Sequence, residues 1–210
     1  SEIDTTNLVE RKGIIYIWTN KNLKSREMEI KIRDELGIKQ RLLTKKEILE
    51  LEPNLNPVFD AGVIYDYAYH ARDPKEITKK LFELFIKLGG KFEKKEVINV
   101  EQTRFNETQI KTNSEKFSFE KIVLACGAFS KKFTDQLGEK IPLDTERGYH
   151  VHYKKMDHLL TRPVIFLDRG FGMTPMNQGL RAVGTVELGG FDNPISKKRI
   201  DYIDKCAKEL

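Results

Sequence analysis

Ile122-Val123-Leu124-Ala125-Cys126-Gly127-Ala128-Phe129-Ser130 is the stretch on which the reading of this 210-residue chain turns. Its first five residues are apolar without alternation, the pattern of a strand covered on both faces, as in the parallel sheet of an α/β layer. A glycine turn ends the run. The spacing then predicts a helix from about Ser130 to Leu137, stopped by Gly138, with its first free amides just beyond the strand's carboxyl end.

Upstream, the residues from Val97 to Thr103, Thr108 to Thr112 and Lys116 to Phe119 read as a β-meander, joined at Asn106 and at Asn113-Ser114. Before the meander, Asp73 caps and Pro74 opens a helix whose apolar stripe of Ile77, Leu81, Leu84, Phe85 and Leu88 ends at Gly89-Gly90. Earlier still, Gly13 to Trp18 is a β-branched and aromatic strand ending at Thr19-Asn20. A Ser25-capped helix with Met28, Ile32 and Leu36 on one face follows it. Thr44-Lys45-Lys46-Glu47 is a capping box for a short helix closed by Pro53, and Gly62 to Asp66 is another strand. Downstream, Arg147 to Tyr153, Val164 to Leu167 and Leu180 to Glu187 are strand candidates, and Ser196 caps a helical stripe of Ile200, Ile203, Ala207 and Leu210.

Composition sets outer limits. Hydrophobic residues make up 39%, enough for an ordinary core. No apolar run approaches the roughly 20 residues of a membrane helix, and Ser1-Glu2-Ile3-Asp4 lacks the order of a signal peptide. A cytoplasmic protein, or one peripheral to the inner membrane, is expected. Cys126 and Cys206 have no metal-caging spacing, so neither a disulfide scaffold nor a structural metal is expected. The net charge of +5 is spread over lysine pairs such as Lys79-Lys80 and Lys131-Lys132, which read as solvated surface, with no nucleic-acid partner.

Taken in order, Asp73-Pro74, Gly89-Gly90, Val97 and the Ile122 to Ser130 string resemble the middle of the FAD-dependent D-amino-acid oxidase/dehydrogenase superfamily. Ile141 to His150 and Gly179 to Glu187 are similar to its glycine-oxidase and bacterial D-amino-acid dehydrogenase branch. The resemblance spans nearly the whole chain. It departs in two places: the Gly-x-Gly-x-x-Gly turn that holds the FAD pyrophosphate is absent, and so is the Gly-Leu-Arg-Pro-like segment carrying the substrate-gripping arginine. Phe129 stands where relatives usually have tryptophan. The resemblance therefore implies an internal fragment of α+β class: an antiparallel-sheet substrate domain with part of an α/β FAD-binding domain. It assigns residues 1–72 to the first part of the substrate domain, 73–140 to the middle of the cofactor domain, and 141–210 to the second part of the substrate domain.

What the resemblance implies for function is oxidation of a D-amino acid, or a glycine-like amine, to an imine and then a keto acid by hydride transfer to flavin. It implies that Val97, Ala125, Cys126, Gly127 and Phe129 contact FAD, and that Tyr149, Gly172, Met173 and Glu187 face a small amino-acid substrate. No catalytic acid or base is assigned, and none is required if the amine arrives neutral. The residues also carry plainer readings: Val97 as core, Cys126 as a small apolar filler, His150 and His152 as edge-strand polars, Arg181 as surface, and His70 as loop. The alternatives are a 2-hydroxy-acid oxidase of the same superfamily and a non-catalytic basic binding module. The isolated chain is expected to bind FAD weakly or not at all.

Overall fold

The computed structural model describes residues 3–19, 23–103 and 107–210, with the side chains of residues 23–25 outside that description. The expected turns at Asn20 and Asn106 lie outside the described residues, and the first helix begins at Leu23, so Ser25 stands inside it and not at its cap. The chain divides into two compact units, one of residues 1–87, 148–186 and 194–210 and a smaller one of 88–147 and 187–193.

In chain order the elements are β1 (Val9–Glu10), β2 (Ile14–Trp18), α1 (Leu23–Glu35), β3 (Arg41–Thr44), α2 (Lys45–Leu51), β4 (Ala61–Tyr65), β5 (His70–Ala71) and α3 (Pro74–Lys87). There follow β6 (Val97–Gln102), β7 (Thr108–Thr112), β8 (Lys116–Phe119), α4 (Ser130–Gln136), β9 (Arg147–Lys154), β10 (Val164–Phe166), β11 (Phe171–Met176), β12 (Gly179–Glu187) and α5 (Lys197–Glu209). The α+β class holds.

A seven-stranded sheet ordered β3-β4-β2-β10-β11-β12-β9 organises the larger unit. It is mixed. The ladders β3–β4, β4–β2, β10–β11 and β11–β12 are antiparallel, while β2 and β10 run parallel, Ile15 opposite Val164 and Ile17 opposite Phe166. A parallel pair needs a long crossover, and here the chain between Trp18 and Val164 is that crossover, which an expectation of a purely antiparallel sheet overlooked. The strand β3 was also missed, because its Arg41 and Thr44 break the apolar pattern.

Alternation sorts the side chains of this sheet onto two faces. Ile15, Ile17, Ile64, Val164, Phe166, Phe171, Met173, Leu180 and Ala182 share one face and are buried with Ile48 of α2, Phe59, and Ile203 and Cys206 of α5. Each Val, Leu, Ile, Phe or Met among them contributes about 1.5–3 kcal/mol by leaving water, so this face is the main source of the unit's stability. Thr44 caps α2 as expected: its hydroxyl accepts from Glu47 N–H, and the Glu47 carboxylate accepts from the Thr44 N–H at 2.8 Å. At α5, Ser196 occupies the cap position without a side-chain capping bond.

The opposite face carries Tyr16, Trp18, Val63 and Tyr65, against which α1 turns Arg26, Glu29, Ile30 and Arg33. This corrects the expected stripe of Met28, Ile32 and Leu36, which are exposed. Polar anchoring orients the helix: Arg26 pairs with Glu29 at 2.8 Å and reaches Asp168 at 3.8 Å, while Asp168 also accepts from the Thr19 N–H and hydroxyl. The α3 stripe is likewise not buried, with Leu81 52% and Phe85 47% exposed. His70 is no loop residue: it sits on β5 opposite Glu10 of β1, 8% exposed.

The smaller unit holds the expected meander, ordered β6-β7-β8, and α4. Gln136 of α4 ties the two together, accepting from Val100 N–H at 2.9 Å and donating to Ile98 O at 3.3 Å. One expectation fails here. Residues 121–126 form no ladder, and Val123 is 90% exposed. A doubly covered strand needs a strand on at least one edge and layers on its faces, and no described segment supplies a pairing strand.

Candidate functional site

In the smaller unit, the exposed residues Ala125 and Cys126 lead into a 3₁₀ turn over Gly127–Phe129 and then α4. The Cys126 N–H donates to the Ser130 hydroxyl at 3.1 Å and the Cys126 carbonyl accepts from Phe129 N–H at 3.2 Å, so the turn's backbone and the Ser130 side chain together hold its shape. Gly127 has φ +56, and a Cβ built on it would meet nothing within 4 Å. Glycine is thus required by backbone conformation, not by crowding, and the backbone beside it lies open. Cys126 is exposed and so fills no core among the described residues.

The segment after β12 closes on the same unit. Phe129 stacks on Phe191, ring centroids 4.2 Å apart and planes 19° apart. Arg147 donates to the carbonyls of Asn193 at 2.6 Å and Phe191 at 2.9 Å, and its guanidinium stands 3.6 Å from the Glu187 carboxylate. Glu187 is therefore held by Arg147. Sequence reading missed this cluster, because an arginine 40 residues from its glutamate carries no local signal. Val97, half-buried, shares an apolar face of the meander with Ile110, Thr112, Phe117 and Phe119, which line a cleft of about 390 Å³.

In the larger unit, Tyr149 is 5% exposed within the core, and its hydroxyl accepts from Ser196 N–H at 3.1 Å. Met173 points into that same core, as its place among the buried residues of one face shows. Gly172 faces the other way, opposite Val183 and Ile165. A Cβ there would run into the Ile165 side chain and lie 3.1 Å from Val164 O, so close packing demands the glycine. Of the expected site residues, the fold thus groups Ala125 to Phe129, Glu187 and Val97 in the smaller unit and Tyr149, Gly172 and Met173 in the larger. A residue not expected is Thr185 of β12, with φ +60 just after Gly184, the last residue paired with β11. A threonine with positive φ is rare and has no sequence signature.

Residues 2–210 match the profile of a single family, described as FAD dependent oxidoreductase. The chain belongs to that FAD-dependent oxidoreductase family. Among curated relatives, a D-amino-acid oxidase of Bradyrhizobium diazoefficiens is 26% identical over 202 residues, covering 96% of this chain and 48% of the relative. A D-amino acid dehydrogenase of Vibrio atlanticus is 28% identical over 216 residues, covering 95% of this chain and 49% of its own length. The chain spans about half the length of the curated relatives it matches. Among solved structures, glycine oxidase from Geobacillus kaustophilus superposes with a TM-score of 0.85 at 20% identity, over all of this chain and 56% of its own. At that identity the superposition speaks for the fold alone.

The family's cofactor fits what the smaller unit presents on one side. The backbone at Gly127, with nothing within 4 Å of where a side chain would stand, and the exposed small residues Ala125 and Cys126 before it suit a large planar group approaching closely. The sequence contains no Gly-x-Gly-x-x-Gly hexad, so these 210 residues lack the usual pyrophosphate cradle.

Proposed function

We propose that this chain is the central part of an FAD-dependent enzyme that oxidises the Cα–N bond of a D-amino acid or a glycine-like amine. The observation that carries this reading is the family match along residues 2–210, with relatives named D-amino-acid oxidase and D-amino acid dehydrogenase over nearly the whole chain. On this reading residues 1–72 and 141–210 form the substrate domain and 73–140 the middle of the cofactor domain. The whole protein works in the cytoplasm or at the inner membrane's surface; no described helix is long and apolar enough to cross a membrane.

FAD, when bound, supplies the two-electron acceptor for the substrate's Cα–H bond. The chain's own residues orient and enclose. Ala125, Cys126 and Gly127 offer backbone at close range, Phe129 is pinned flat by Phe191 to form a packing surface, and Val97 offers main-chain groups at the start of β6. Gly172 and Met173 shape the strand beside the reacting centre. By the resemblance Tyr149 and Glu187 are each assigned to the substrate, Tyr149 through a hydroxyl that accepts from Ser196 N–H and can still donate, Glu187 through a carboxylate held by Arg147. Catalysis here is mainly positioning, and no side-chain base is required if the amine arrives neutral.

The test is anaerobic mixing of the whole protein with a panel of D-amino acids, glycine and 2-hydroxy acids, following the flavin's visible absorbance. Bleaching by amino acids and not by hydroxy acids is expected. Bleaching by hydroxy acids alone overturns the substrate class. In the same assay Tyr149→Phe should raise KM with little change in kcat, because lost uniform binding appears there first; an unchanged KM leaves Tyr149 to packing.

A further inference from the structure

At the far end of the larger sheet, Arg72, Asp73, Pro74, Lys75, His150, His152, Met176, Gln178 and Arg181 line a cleft of about 280 Å³. Of these, six are ionisable. Five are basic and one, Asp73, is acidic, and the acid is already engaged, accepting from the Glu76 N–H as the cap of α3. Arg72 is engaged too, donating to Asn177 at 2.9 Å and standing 3.4 Å from Glu10 and 3.5 Å from Asp157. That leaves Lys75, His150, His152 and Arg181, none of which forms an ion pair with any described carboxylate.

Their arrangement follows from register. Arg181 of β12 stands opposite Thr174 of β11, on the face that also carries Met176 and Gly172. His150 and His152, two apart on β9, turn to one face by alternation, and β9 is the neighbour of β12. The Arg181 Nε is buried with no hydrogen-bond partner, and a buried guanidinium donor left unmade costs free energy. Positive charge also crowds itself here. Burial first, and then Arg181 and His152, hold the His150 imidazole below its ordinary value. A concave cluster of two cations and two imidazoles with a buried orphan donor is what an oxyanion completes.

We infer that this cleft binds a small oxyanion carrying about two negative charges, held by Arg181 and Lys75 with the His150 and His152 ring N–H groups as further donors. The flavin reading is not needed for this inference. A bound anion favours the charged imidazole, so it raises the His150 titration, and by linkage affinity rises as the pH falls. The groups facing His150 in this balance are Arg181 on β12, His152 on its own strand, and Arg72, Asp73 and Lys75 at the start of α3.

The experiment is an NMR titration of the histidine ring protons in the 210-residue chain, with inorganic phosphate in one arm, glutarate in a second and chloride in a third, all at one ionic strength. The expected result is a saturable upward move of the His150 titration with phosphate or glutarate and none with chloride. A response to phosphate alone identifies a phosphate-bearing ligand, and one to glutarate alone a dicarboxylate. Arg181→Met should weaken binding at least about tenfold, the worth of one charge-assisted hydrogen bond. Lys75→Gln, at an exposed position, should weaken it severalfold with melting unchanged, and carries the test if Arg181→Met does not fold. No saturable move with either oxyanion, or wild-type binding in Lys75→Gln and any folded Arg181→Met, overturns the inference.

Discussion

His70 shows how a single residue departs from its sequence reading. It looked like a polar residue before a helix cap, and it is instead buried between β1 and β5, with Glu10 3.6 Å away and both ring nitrogens without hydrogen-bond partners. Burial pushes its imidazole below the ordinary histidine value, and the Glu10 carboxylate only partly offsets that. The unfolded chain therefore takes up this proton more readily than the folded one. Stability attributed to His70 is intact above the ordinary histidine range and is lost as pH falls through it. Melting curves between about pH 7.5 and 5.5 should show a steeper acid loss for the wild type than for His70→Gln; equal slopes would mean that Glu10 dominates. Residue roles were the least legible layer, since they depend on partners far apart in the chain. Glu187 was marked by its place in a motif, yet the guanidinium that holds it comes from Arg147, and nothing local announces Phe191 under Phe129.

At the scale of elements, local signals read well wherever the physics is local. The capping box at Thr44, the proline-opened α3, the meander and the Gly138 stop of α4 all depend on neighbours within four residues, and all are present. Thr44→Ala should cost about 1 kcal/mol of unfolding free energy in a denaturant titration, and a loss near zero would show that α2 is held by Ile48 alone. What periodicity cannot say is whether a face is covered. Met28, Ile32 and Leu36 keep helical spacing but face outward, because the Arg26–Glu29–Asp168 anchoring rotates α1 the other way. Leu81 and Phe85 of α3 are exposed, so Leu81→Glu should change this chain's stability by no more than about 0.5 kcal/mol. In the whole protein, where the proposed cofactor domain covers this stripe, the same change should cost about 2 kcal/mol or more. Equal small costs in both would leave α3 a surface helix.

For the molecule as a whole, the order of motifs was more telling than any one of them. Asp73-Pro74, Val97, the 122–130 string and Gly179 to Glu187 pointed to the family because their sequence and spacing agreed, and the family match along residues 2–210 bears that out. The parallel contact of β2 with β10 was illegible, since it joins residues some 150 positions apart whose apolar patterns suit either direction. Residues 122–126 are the informative mismatch: an apolar run that composition wants buried lies open, with Val123 90% exposed. The open apolar run and the missing glycine hexad both fit a chain whose proposed flavin site is finished by other segments. The most direct test is the flavin content of two purified samples, the 210-residue chain and the whole protein that contains it. Most of the affinity for a dinucleotide comes from the pyrophosphate cradle. The contacts at Val97 and the 125–129 turn are worth about 1 kcal/mol each, against an association cost of roughly 4–15 kcal/mol. The chain should therefore be colourless and the whole protein yellow, with about one FAD per polypeptide. A yellow 210-residue chain, or a whole protein free of flavin, would contradict the account.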